Sequence, residues 1–172
     1  MSADPSMYDV SIPVFVRQLK ALSACLEKAE AYCAAKKIDP AVMADQRLIA
    51  DMFPLSRQIQ IACDFAKGAA ARLAGTDVPS WEDNEKSLAD LRTRIARTIE
   101  FVNSTSRDRL AGAATRDISI KIAGNPVTLK GAPYLNGYAL PNFYFHATTA
   151  YAILRANGVD LGKRDFIGAM PA

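Results

Sequence analysis

Histidine is scarce in this chain, since 172 residues hold only one, His146. Most metal centres, and most proton-transferring or nucleophilic pairs at neutral pH, lean on imidazole, so one residue must serve if any does. Cysteine is little better supplied. Cys25, Cys33 and Cys63 are odd in number and form no Cys-x-x-Cys pair, which argues against a disulfide framework and against a zinc knuckle. Cys25 and Cys33 fall in one predicted helix with about 12 Å of rise between them, beyond disulfide reach. All three are read as reduced packing residues.

Neither sign of charge is in large excess. Twenty-one Lys and Arg against 18 Asp and Glu leave +3, spread evenly along the chain, which excludes the basic footprint of a nucleic-acid partner. No apolar run approaches the ~20 residues of a membrane span. Met1-Ser2-Ala3-Asp4-Pro5 lacks the basic start and apolar core of a signal peptide. A cytoplasmic location is therefore expected, with no nucleic acid and no membrane as partner. Glycine-rich signatures are missing too. There is no Walker loop, no Gly-x-Gly-x-x-Gly and no Gly-x-Ser-x-Gly elbow, so phosphate cradles and a hydrolase nucleophile are disfavoured. The Glu-x-x-His pairs of di-iron bundles are also absent.

What remains is a strong helical pattern in a chain long enough to bury roughly 70% of its unfolded surface as one domain, taken as 1–172. Phe15, Leu19, Leu22, Leu26, Ala29 and Cys33 keep the helical period from Ser11 to about Lys36, with Pro13 tolerated in the first turn. Asp39-Pro40 suggests a short connecting helix. The second long helix is predicted from Pro54 to Ala74, with Gly75 as its stop. On its wheel Gln58, Ala62, Phe65, Ala69 and Leu73 face inward, while Arg57, Gln60, Asp64 and Lys67 face away.

Ser80 with Asp83 resembles a capping box that opens a third helix, with Trp81, Leu88, Leu91, Ile95, Ile99 and Val102 as its buried stripe. Glu82, Asp83, Glu85 and Asp90 read as dipole complements and a solvated face. Ile118, Ile120 and Ile122 then alternate with polar residues, Ala123-Gly124-Asn125-Pro126 turns, and Val127 and Leu129 alternate again, which is a β-hairpin. It must lay its isoleucine face on the helices to be stable. A last helix is predicted from Pro141 to the Gly158 stop, and the tail from Asp160 straps one end of the bundle with Leu161, Phe166 and Ile167.

Six of the 13 Phe and Tyr residues lie between Tyr134 and Tyr151, which marks the last helix as a packing centre and a pocket wall. Asn142 and His146 stack four apart on one face, and Thr149 continues it. Tyr144, Thr148, Tyr151 and Arg155 occupy the opposite face, which needs a cover, either the hairpin or another subunit. A lone helical histidine is first of all a hydrogen-bonded core residue, with Asn142 and Gln58 as partners. The sharper reading makes it a pocket residue, a general base or a metal ligand.

Several segments together resemble a known family. They are Met52-Phe53-Pro54-Leu55 with Gln58 and Lys67-Gly68, the stop Arg72-Leu73-Ala74-Gly75, Leu140-Pro141-Asn142-Phe143-Tyr144-Phe145-His146, and Ile153-Leu154-Arg155-Ala156-Asn157-Gly158. Over nearly the whole chain they resemble a bacterial domain-of-unknown-function family that looks like a branch of the DinB/YfiT superfamily. The resemblance implies a mainly α fold, a DinB-like four-helix bundle with a small β-hairpin between helices three and four, and a homodimer. It further implies that His146 and Asn142 stand where relatives carry two metal-binding histidines, with Gln58, or else Gln60, where they carry a third. Neutral amides are weak ligands for zinc or nickel, so the metal site reads as degenerate and no cofactor is expected.

The leading expectation is small-molecule binding in a pocket of Gln58, Asn142, His146, Thr149 and Phe65. The alternatives are a metal- or thiol-dependent enzyme using His146 as base or sole imidazole ligand, and a structural dimer with Tyr144, Tyr151 and Arg155 at its interface.

Overall fold

The computed structural model describes residues 5–170, so the leader expectation, which rests on Met1 to Asp4, falls mostly outside the described residues. The chain folds as α1 (Ile12–Lys36), α2 (Pro40–Ala44), α3 (Leu55–Ala74), α4 (Leu88–Asn103), β1 (Asp117–Ile122) and β2 (Asn125–Lys130). These are followed by α5 (Gly131–Tyr134), a π turn (Leu135–Ala139), α6 (Leu140–Ala156) and α7 (Lys163–Ile167). The fold is mainly helical with one antiparallel hairpin between α4 and the last long helix, as the periodicities predict.

Four helices, α1, α3, α4 and α6, form the bundle. Each of α1 and α3 packs on both α4 and α6, while α1 and α3 barely touch, so they sit on a diagonal. The links from α1 to α3 and from α4 to α6 therefore cross the bundle. The expected stripe of α1 is buried at all six positions from Phe15 to Cys33. Phe15 meets Phe143 edge-on at 4.9 Å between ring centres, which ties α1 to α6. Burying each such side chain contributes about 1.5–3 kcal/mol.

The hairpin pairs Ile118 with Leu129 and Ile120 with Val127. Ile118 and Ile120 are buried, and Ile122, Val127 and Leu129 pack on the core from the rim. α7 is held against α1 by the Gln18 amide, which donates to the Phe166 carbonyl at 2.8 Å, and by the Lys28–Asp165 ion pair.

Two helix starts differ from expectation. The Ser80 box does not form. Thr76 to Lys86 stay outside any helix, and α4 begins seven residues later on a complete capping box in which Ser87 accepts from the Asp90 N–H and Asp90 accepts from the Ser87 N–H. Asp83 and Glu85 lie outside any helix and pair instead with arginines, Glu85 partly buried and Asp83 still exposed. The last helical stretch, in turn, begins at Gly131 rather than Pro141, because α5, the π turn and α6 run on with helical backbone throughout. A proline inside a helix lacks an N–H, and its ring strikes the carbonyl one turn back; the widened π turn just before Pro141 accommodates both. Gly131 is required at the hairpin junction, since a Cβ there would collide with the Ala113 carbonyl.

Candidate functional site

The polar centre of the bundle lies where α3 faces α6. Gln58, on the first turns of α3, is 1% exposed. Its amide nitrogen donates to the Phe53 carbonyl at 3.1 Å, just ahead of the helix, and this fixes which way the side chain points. The Oε1 atom is left facing His146, 2.7 Å from Nδ1. An amide oxygen only accepts, so Nδ1 must carry the proton and donate it, and the neutral ring keeps its lone pair on Nε2. Burial first, and then the positive charge of Arg57, hold the His146 pKa below its ordinary 6.5. His146 is thus a neutral imidazole of defined tautomer near pH 7.

Aromatic rings brace it. Phe65 lies nearly parallel to the imidazole with centroids 6.1 Å apart, and Phe145 meets it edge-on at 5.2 Å. Phe65 in turn packs on Tyr138 of the π turn at 5.6 Å.

The other expected pocket residues turn elsewhere. The Asn142 amide donates to the Tyr138 carbonyl one turn back at 2.8 Å, and so serves the backbone beside Pro141 rather than the Gln58–His146 pair. Thr149 donates to the Phe145 carbonyl at 2.7 Å and borders a shallow groove of about 420 Å³ with Leu48, Tyr144, Phe145 and Thr148. Among the described residues no three His, Cys, Asp or Glu side chains gather as a metal ion would require. All three thiols are free and buried, and burial pushes Cys25 up to about 11 and Cys63 up to about 12.

A second polar cluster escaped the sequence reading. Gln60 and Lys67, expected to face away from the core, are buried, because the Thr76–Lys86 segment folds over that side of α3. Arg94 of α4 is its hub: Nη1 donates to Glu85 at 2.9 Å and to the Glu82 carbonyl at 3.0 Å. Its Nη2 reaches Asp83 at 2.9 Å and Asp64 at 3.1 Å. Lys67 pairs with Asp64 at 3.0 Å and lies 4.3 Å from the ring centre of Trp81, which also carries Arg97 at 4.2 Å. Gln60 donates to Glu85 at 2.9 Å, and Arg57 pairs with Asp83. The signal in the sequence was the density of Asp and Glu at 82–85 set against arginines spaced along α4.

No helix of the described chain is long and apolar enough to cross a membrane. No curated protein matches the chain. A crystal structure of a DinB family member protein from Shewanella denitrificans is similar to it, with 45% sequence identity, a TM-score of 0.88, and 96% of this chain and 94% of that one covered. A family model described as Domain of unknown function (DUF1993) matches residues 7–167, and with four bundled helices and an inserted hairpin behind the match, the chain belongs to that family.

Proposed function

We propose that this chain is a small-molecule-binding DinB-like bundle in which a hydrogen-bonded His146–Gln58 pair occupies the position of a metal centre. The carrying observation is the 2.7 Å contact from Nδ1 to Oε1. A metal does not fit these residues. Gln58 spends its oxygen on His146 and its nitrogen on Phe53, and the Asn142 nitrogen is spent on Tyr138, so one imidazole nitrogen is the only strong donor left free. Metal analysis after purification tests the reading. Zinc and nickel should be well below one equivalent, and the double variant Gln58→His, Asn142→His should gain an affinity the parent lacks. One equivalent that survives dialysis against a chelator, and disappears in His146→Ala, would overturn it.

A second reading, in which His146 acts as general base, draws support from the fixed tautomer and lowered pKa, since a neutral imidazole with a free Nε2 can accept a proton from a thiol or from water. Turnover of an electrophile with a low-molecular-weight thiol, abolished in His146→Ala, would favour this reading over simple binding.

Association as a homodimer belongs to the same proposal. Leu48, Phe53 and Phe145 are each about half exposed, with Leu48 and Phe145 bordering the groove beside Thr149. Light scattering at micromolar concentration checks it, and a monomer there would remove it. The reduced, buried thiols suit a cytoplasmic location.

A further inference from the structure

Next to Phe65, α3, the hairpin and the π turn border an open cavity of about 210 Å³ lined by Asp64, Phe65, Arg72, Ile120, Lys121 and Tyr138. Arg72 is the unusual member. It is half-buried, yet among the described residues it forms no ion pair, and its one hydrogen bond goes from Nη1 to the buried Tyr134 hydroxyl at 3.3 Å. A guanidinium has five N–H donors in a planar fork, so most of them stay open to solvent or to a ligand. Lys121, exposed at the rim, also forms no ion pair among the described residues. Asp64, the one carboxylate on the wall, is already bound through Oδ1 to Arg94 and Lys67. The position of Arg72 is built in by Gly68, one turn earlier on α3: any Cβ at 68 would strike Nη1 of Arg72.

We infer that this cavity takes a small organic monoanion, its carboxylate on Arg72 with Lys121 nearby, and its apolar body against Phe65, Tyr138 and Ile120. The volume is that of a compact ligand. Asp64, about two turns earlier on α3 and also on the lining, disfavours a second negative charge, which selects a carboxylate over a phosphate dianion. Because Phe65 is also the ring stacked on His146, such a ligand adjoins the site proposed above and names its ligand class, but its binding requires nothing of His146.

The test is an NMR shift titration of the full chain with benzoate, phenyl phosphate and benzyl alcohol. Benzoate should move the amides of Phe65, Ile120 and Tyr138, with phenyl phosphate weaker and benzyl alcohol weaker still. Arg72→Gln should weaken benzoate binding at least about tenfold, the loss expected for one charge-assisted contact. Gly68→Ala keeps every charge and improves helix propensity but pushes the guanidinium aside, so it should also weaken binding while the fold holds. Benzoate binding should persist in His146→Ala. No shifts at tens of millimolar benzoate, equal binding by wild type and both α3 variants, or tighter binding of phenyl phosphate would each overturn the inference without bearing on whether His146 binds metal.

Discussion

Replacing Gln58 by leucine would strand the Nδ1–H of His146 in a partly buried setting, at an expected cost of about 1–3 kcal/mol in urea denaturation. Gln58→Glu asks the opposite question at the same atom. A carboxylate beside Nδ1 favours imidazolium, so the NMR titration of His146 should move from below 6.5 in the parent to above it in the variant. The direction of the parent shift also fixes a pH dependence. The folded chain holds the His146 proton less tightly than the unfolded chain, so the unfolded state binds more protons as pH falls below 6.5. Stability should therefore be lost as pH drops from 6.5 through the folded value, and His146→Gln should flatten that part of the denaturation profile.

At the scale of the element, two serines separate what helical signals say from what the chain does. Ser87→Ala should cost about 1 kcal/mol, because it removes a filled cap, whereas Ser80→Ala should leave stability unchanged. Both serines precede an acidic residue by three, and sequence alone favoured the wrong one. The deciding fact is long-range: Arg94 and Arg57 take the acidic side chains at 83 and 85, and a helix through them would withdraw those partners. The same lesson holds for Gln60 and Lys67, whose outward assignment assumed solvent where the Thr76–Lys86 segment lies. The periodic positions of α1, α3 and the hairpin were legible because burial of a stripe leaves a local mark every three to four residues or every two. The Gln58–His146 contact was legible for the same reason, each residue facing inward on its own helix. The direction of Asn142 was not, since it depends on the π turn beside Pro141. That junction has its own test: Gly131→Ala should cost roughly 3 kcal/mol in urea denaturation, the upper end of overpacking, because the Ala113 carbonyl it would hit is backbone and cannot swing away.

For the whole molecule, diagonal placement of α1 and α3 means that no two long helices adjacent in the chain close the bundle by themselves, except α3 and α4. The connection between those two is the segment pinned by Arg94. Arg94→Leu would leave Asp64, Asp83 and Glu85 without their common cation and should lower stability by about 3 kcal/mol, measured as a fall in melting temperature. The only tryptophan of the chain rides on that same segment, held between Lys67 and Arg97 and touching Phe101 edge-on, rather than in the core. Intrinsic emission is thus a light attached to the clasp and not to the barrel of helices behind it. A denaturation followed by fluorescence will time the opening of the clasp, one followed by circular dichroism will time the melting of the helices, and any gap between the two curves measures how independently the clasp can come undone.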